Sequence, residues 1–150
     1  MTAWRDEAIL LALRPHGESA RIVTVFAREH GRHAGLIHGS PPQIGSRIQA
    51  AWRARLADHL GHLTIEPLDQ PAGRLMDRPL RLSALAAICA LLDAALAERE
   101  PHPALYDATA ALFELLDGAA WDAAIVHWEV GLLAELGATD PPVEFRFKLP

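Results

Sequence analysis

The sequence predicts an α+β chain with strands first and helices second: an N-terminal five-stranded antiparallel barrel followed by a small all-α region. Two periods carry that prediction. Up to about residue 70, apolar and polar side chains alternate with period two between short turns, and from Pro79 onward apolar residues recur every three or four positions. Between the two periods lies the one linker candidate, "DQPAGRLMDRP" (69–79), rich in turn formers. With 150 residues, 51% of them hydrophobic and 22% charged, the chain is long enough to bury a core as one domain or two small ones.

The strands follow in order. Glu7–Leu13 is a compact apolar run ended by the turn "RPHGES", with Asp6 and Glu7 read as solvated charge ahead of it. Arg21–Arg28 is rich in β-branched residues. Arg32–His38 alternates after the turn "EHG", where Gly31 is free to take a positive φ. Arg47–Leu56 alternates cleanly, with Ile48, Ala50, Trp52, Ala54 and Leu56 on one face and Arg47, Gln49, Ala51, Arg53 and Arg55 on the other. His62–Leu68 sets Leu63 and Ile65 against His62, Thr64 and Glu66. Five short antiparallel strands in about seventy residues suit a closed barrel of the OB type.

Three helices complete the chain. Leu80–Leu96 places Leu82, Leu85, Cys89, Leu92 and Leu96 on one face, with Pro79 in the first turn. Pro103–Leu116 turns Leu105, Leu112, Phe113 and Leu116 inward, with Gly118 as its C-terminal cap. Trp121–Leu136 turns Trp121, Ile125, Trp128, Leu132 and Leu136 inward and closes at Gly137. The expected division is a barrel at 1–72, a helical region at 77–137 and an extended tail at 138–150.

Several function classes are disfavoured. No run of eighteen apolar residues offers a membrane span, and the acidic start "MTAWRDEAIL" is unlike a secretion signal, so a cytoplasmic protein is expected. The single cysteine, Cys89, falls on an apolar helix face and reads as a buried, inert thiol. No phosphate-binding loop, dinucleotide fingerprint or nucleophile elbow is present, so neither a catalytic activity nor a cofactor is expected. The segment "REHGRHAGLIHG" (28–39) holds three of the eight histidines, which invites a metal reading. That reading fails on parity, because His33 and His38 lie five apart on one strand and point to opposite faces.

Charge points elsewhere. Residues 1–78 carry ten arginines against eight acids, a net of +2, and six histidines. Residues 79–150 carry four basic residues against eleven acids, a net of −7. Such a split suggests different partners for the two parts. On the fourth strand Arg47, Arg53 and Arg55 share a face, on the third Arg32 and His38 do, and Arg14, His16 and Arg21 flank the first turn. A basic barrel face with planar groups is how OB-type modules hold single-stranded nucleic acid. Arg32, Arg47, Arg53 and Arg55 are therefore the first expected phosphate contacts, with Arg14, Arg21, His16 and His38 second. Trp52 shares the face of Ile48 and reads as core. The other readings left open are a protein-interaction module with little nucleic-acid affinity, and an RNA-binding barrel.

Residues 4–39, "WRDEAILLALRPHGESARIVTVFAREHGRHAGLIHG", resemble the opening of the bacterial recombination mediator family RecO. "AAWRARLADHLGHLTIEPL" (50–68) is similar to its last two barrel strands. "REPHPALYDATAALFELLDG" (99–118) and "HWEVGLLAELG" (127–137) are similar to its helical signatures. The likeness is collinear over about residues 3–137; its specificity lies in the ordered set rather than in any one motif. It implies an OB-fold that binds and anneals single-stranded DNA, and helices that contact partners. Those partners are RecR and the C-terminal tail of single-strand DNA-binding protein, with RecF and RecA engaged indirectly in loading RecA at gaps, all near the nucleoid. The chain departs from the pattern twice. After Gly39 the family usually continues with a Lys/Arg-rich segment, whereas here "SPPQIGS" carries no positive charge before Arg47, which implies weaker DNA binding. The family also runs on into further helices and, in many members, a four-cysteine zinc knuckle. A shortened member is therefore expected, with apolar helix surface left exposed.

Overall fold

A computed structural model describes residues 1–137. The tail expected at 138–150 lies outside the described residues. Five strands, β1 (Thr2–His16), β2 (Ala20–Ala27), β3 (Gly31–His38), β4 (Arg47–Ala54) and β5 (His62–Asp69), are followed by a single helical turn α1 (Pro71–Arg74) and the helices α2 (Pro79–Ala95), α3 (Pro103–Leu115) and α4 (Trp121–Glu135). The strands close a barrel in the order β1-β2-β3-β5-β4. This is the OB arrangement the alternation predicts, with one difference. The sheet is mixed, because β3 and β5 meet in parallel at Leu36 and His62 while the other pairs are antiparallel.

β1 is much longer than its apolar run. Its first half pairs with β4 from Thr2↔Ala54 to Ile9↔Arg47, and its second half pairs with β2 from Ala8↔Ala27 to His16↔Ala20. A bulge between Leu10 and Ala12 bends the strand between these two duties. The run "AILLAL" lacks alternation because both faces of β1 are buried there. Ala8 and Leu10 point into the barrel with Val23, Val25, Ile48, Trp52 and Leu63. Ile9 and Leu11, with Phe26 of β2, point out into a second apolar cluster made with the helices. Asp6 and Glu7 are therefore part of β1 rather than solvated charge ahead of it, and Asp6 is only 9% exposed.

The helices lie over the outer face of β1 and β2. α2 contributes Leu85, Ile88, Cys89, Leu92 and then Leu96, α3 contributes Leu105, Tyr106, Leu112 and Phe113, and α4 contributes Trp128 and Leu132. Pro79 and Pro103 open α2 and α3, where a missing N–H costs nothing. One buried polar link joins α3 to α4. The Trp128 indole donates to Thr109 Oγ1 at 2.9 Å, and that hydroxyl donates to the Leu105 carbonyl at 2.7 Å, so the indole N–H and the hydroxyl are both satisfied. Burial pushes the Cys89 thiol up to about 12, which keeps it protonated, as its helix face predicts. Two inward assignments need correction. Leu56 falls beyond the end of β4 and is exposed, and Leu136 caps α4 at the surface. Gly118 does not take the left-handed conformation and only returns an N–H to Leu115, whereas Gly137 does, with φ 75°.

Two glycines fix how the layers meet. Gly31 takes φ 74°, and a Cβ there would lie 2.3 Å from the Glu100 carbonyl oxygen, so only glycine lets the α2–α3 connection cross the start of β3. Gly45 takes φ 88° where the segment "SPPQIGS" leads into β4. It packs against Leu85 of α2 and donates its N–H to Leu10. The place where a basic segment would stand is thus partly a strap tying β1 to α2.

Candidate nucleic-acid interface

The barrel faces outward in two directions. One outer face, built on the middle of β1 and β2, lies under the helices. The other is built on the end of β3, β5, β4 and the first half of β1, and is open. Alternation places outward residues on it in register. Arg53 of β4 pairs across to Ala3 of β1 and His62 of β5. His62 stands beside β3, its ring facing that of His38 with centroids 6.1 Å apart and planes within 22°. His38 pairs with Ala20, which pairs with His16. The result is a belt of basic side chains, His16, His38, His62 and Arg53, around the barrel. A groove of about 450 Å³ runs between His38, Ser40, Arg53, His62 and Thr64. A second hollow of about 440 Å³ shares Arg53 and Thr64 with it and is bordered by Arg5 and Trp4.

The twelve arginines among the described residues divide sharply. Seven are engaged by other groups of the chain. Arg28 makes a two-pronged pair with Asp107 of α3, both bonds 2.8 Å, and also contacts Glu29. Arg32 donates to the Leu96 carbonyl at 2.8 Å and lies 3.6 Å from Asp93. Arg47 lies 3.2 Å from Glu7. Arg74 binds Asp69 at 2.7 Å and approaches Glu114. Arg78 donates to the Asp117 carbonyl, and Arg81 to Leu116 and Gly118 with its guanidinium over Trp121. Arg99 donates to the carbonyls of Ala57 and His59 and lies over Trp52. These pairs depress their acids: the Arg28 guanidinium holds Asp107 below the usual carboxylate range, and Arg74 does the same to Asp69. The five left without an ion pair or hydrogen bond among the described residues, Arg5, Arg14, Arg21, Arg53 and Arg55, all belong to the barrel and are exposed.

The expected contacts therefore separate. Arg53, Arg55, Arg14, Arg21, His16 and His38 are exposed, and Arg53 and His38 line the same groove. Arg32 and Arg47 are not among them. Both sit on outward positions as parity requires, but the end of α2 covers Arg32 and Glu7 takes Arg47. Two residues escaped the sequence reading. Arg5 precedes the strand that the apolar run predicts from Glu7, and alternation predicts the outward face of His62 but not its meeting with His38. The acidity of the helical part is also partly internal, since Asp93, Asp107 and Glu114 answer arginines of the barrel and linker.

The other histidines of 28–39 are used differently. Asp6 accepts the Glu29 N–H at 2.7 Å and lies 2.9 Å from His30 Nδ1, so it ties the β2–β3 turn to β1. His30 stacks on Trp4 at 4.2 Å. His33 points into the barrel, 5% exposed, with its ring edge-on to Trp52 at 4.6 Å and to Trp4 at 5.1 Å. Burial, then the nearby charges of Arg99 and His30, lower its pKa to about 4, so it is neutral at pH 7. The three histidines go to three places, and among the described residues no group of three His, Cys, Asp or Glu side chains gathers. No helix among these residues is long and apolar enough to cross a membrane.

Comparison with known proteins agrees along the chain. Residues 1–70 match the family model of the recombination protein O N terminal region, and residues 76–139 match that of the recombination protein O C terminal region. A DNA repair protein RecO from Rhodospirillum centenum is 50% identical over 141 residues, covering 89% of this chain and 56% of that protein. The protein of the same name from Rhodospirillum rubrum is 47% identical over 150 residues, covering 91% and 60%, and that from Ruegeria is 45% identical over 142 residues, covering 89% and 59%. The chain spans a little over half the length of these relatives.

Proposed function

Since the chain belongs to the RecO family of DNA repair proteins, we propose that its barrel binds single-stranded DNA along the open face and acts by holding strands rather than by breaking bonds. The observation that carries this reading is the division of the arginines. Every arginine left unpaired among the described residues lies on the barrel, and the groove there has no carboxylate in its wall. Guanidinium groups without partners serve phosphates, and binding releases counterions, so affinity falls steeply with salt. Annealing of complementary strands follows if two strands are held with their bases free to pair. In this reading the helices meet protein partners, RecR and the C-terminal tail of single-strand DNA-binding protein, and through them RecA is loaded at gaps. The protein then works in the cytoplasm at the nucleoid.

Titration of a fluorescent single-stranded oligonucleotide at several salt concentrations tests the proposal. Binding at low salt with a steep salt slope supports it, and no detectable binding at low salt overturns it. Capture of purified RecR by the whole chain in the absence of DNA tests the partner role.

A further inference from the structure

We propose that the groove between β3, β5 and β4 is a proton-linked phosphodiester subsite, formed by His38, His62 and Arg53, that grips a strand more tightly as pH falls. The proposal rests on the reading of the barrel as a single-strand binder and goes beyond it by naming the gripping groups and a regulation.

Three elements deliver one basic side chain each to the same groove: β3 gives His38, β4 gives Arg53 and β5 gives His62. No carboxylate lines it, and its remaining wall is Ser40, Thr64 and apolar surface such as Pro41 and Ile65, which suits a phosphate flanked by sugar and base. The facing imidazoles stand 6.1 Å apart beside a permanent guanidinium charge. Protonating both puts three positive charges around one hollow, and an anion lying between them removes that repulsion. Strand binding therefore favours proton uptake, and by linkage acid favours strand binding. The phosphodiester keeps its single charge from pH 6 to 8, so the linkage belongs to the protein. The charged groups around the groove are few. On the β1–β2 hairpin stand His16, Arg14, Glu18 and Arg21, the adjoining hollow brings Arg5, and farther along β5 stands Glu66, all exposed. Asp69 at the end of β5 is already paired with Arg74. The strap from Ser40 to Ser46 is uncharged.

The test uses the whole chain and a fluorescent oligo-dT at fixed low salt, at pH 6.0 and 8.0. We expect binding about tenfold tighter at pH 6.0. The double variant His38→Gln with His62→Gln should reduce that ratio to about twofold or less, whereas His59→Gln, outside the groove, should keep it. Arg53→Gln should weaken binding at both pH values and leave the ratio. Binding that does not change with pH, or a ratio that survives the double variant, overturns the subsite while leaving the barrel reading intact. Absence of binding at either pH overturns both.

Discussion

The covered and open faces of the barrel are built by the same alternation and stocked with the same residue type, yet they use arginine in opposite ways. Under and around the helices Arg28, Arg32 and Arg74 reach Asp107, Asp93 and Glu114 and fasten one layer to the other. On the open side Arg53 and Arg55 have no ion pair or hydrogen bond among the described residues. A guanidinium at an interface is a fastener, and one facing water without a partner is an invitation to an anion. The difference lies in what stands opposite each side chain, which neither its residue type nor its strand parity records.

Damage to the covered face should have the largest effect. Phe26 is fully buried and meets Tyr106 edge-on, with ring centroids 5.5 Å apart. Phe26→Ala should cost about 3–5 kcal/mol in urea unfolding, while strand binding by the protein that remains folded keeps its salt slope. Next comes Arg32→Ala, which strips the Leu96 carbonyl of its donor and should cost about 1–3 kcal/mol. Its salt slope should also be unchanged, against the expectation from sequence that Arg32 touches phosphate.

Arg32 beside Arg53 shows how far strand period alone reaches. Both sit at outward positions of a strand, and alternation places both correctly. What separates them is that Leu96 and Asp93, more than sixty residues later, close over the first. Local period shows which face a residue occupies but says nothing of which face a later helix covers. The same limit hid Asp6, whose partners Glu29 and His30 come from the next hairpin. The exposed, charged ends of β1 lack the apolar signal of its middle, so the sequence predicts a shorter strand than the structure has. The assignment of His33 and His38 to opposite faces needed only parity. The barrel closure followed from strand count and turns, but the parallel β3–β5 contact is a matter of topology that no single strand encodes.

A smaller effect separates the barrel interior from its surface. His33 stays neutral in the folded state down to pH about 4, whereas in the unfolded chain it takes up a proton near 6.5. Between those values the unfolded state binds more protons, so stability falls as pH falls, by about 2 kcal/mol at pH 5. His33→Phe should flatten this part of the profile, read as a smaller drop in Tm between pH 7 and pH 5 than wild type shows. The exposed histidines are common to both proteins and cancel. The smallest effect is expected at the Arg28–Asp107 pair, where both side chains are substantially exposed. Asp107→Asn should cost no more than about 1 kcal/mol, and the loss should shrink in high salt.

If unpaired arginines mark the nucleic-acid face and paired ones hold the molecule together, two double variants compared side by side for Tm and the salt slope of oligonucleotide binding should behave oppositely. Arg53→Ala with Arg55→Ala should reduce the slope by about two and leave stability within about 0.5 kcal/mol. Arg28→Ala with Arg32→Ala should lower Tm and leave the slope as it was. A slope that falls in the second variant and not in the first would show that the paired arginines, not the unpaired ones, hold the strand.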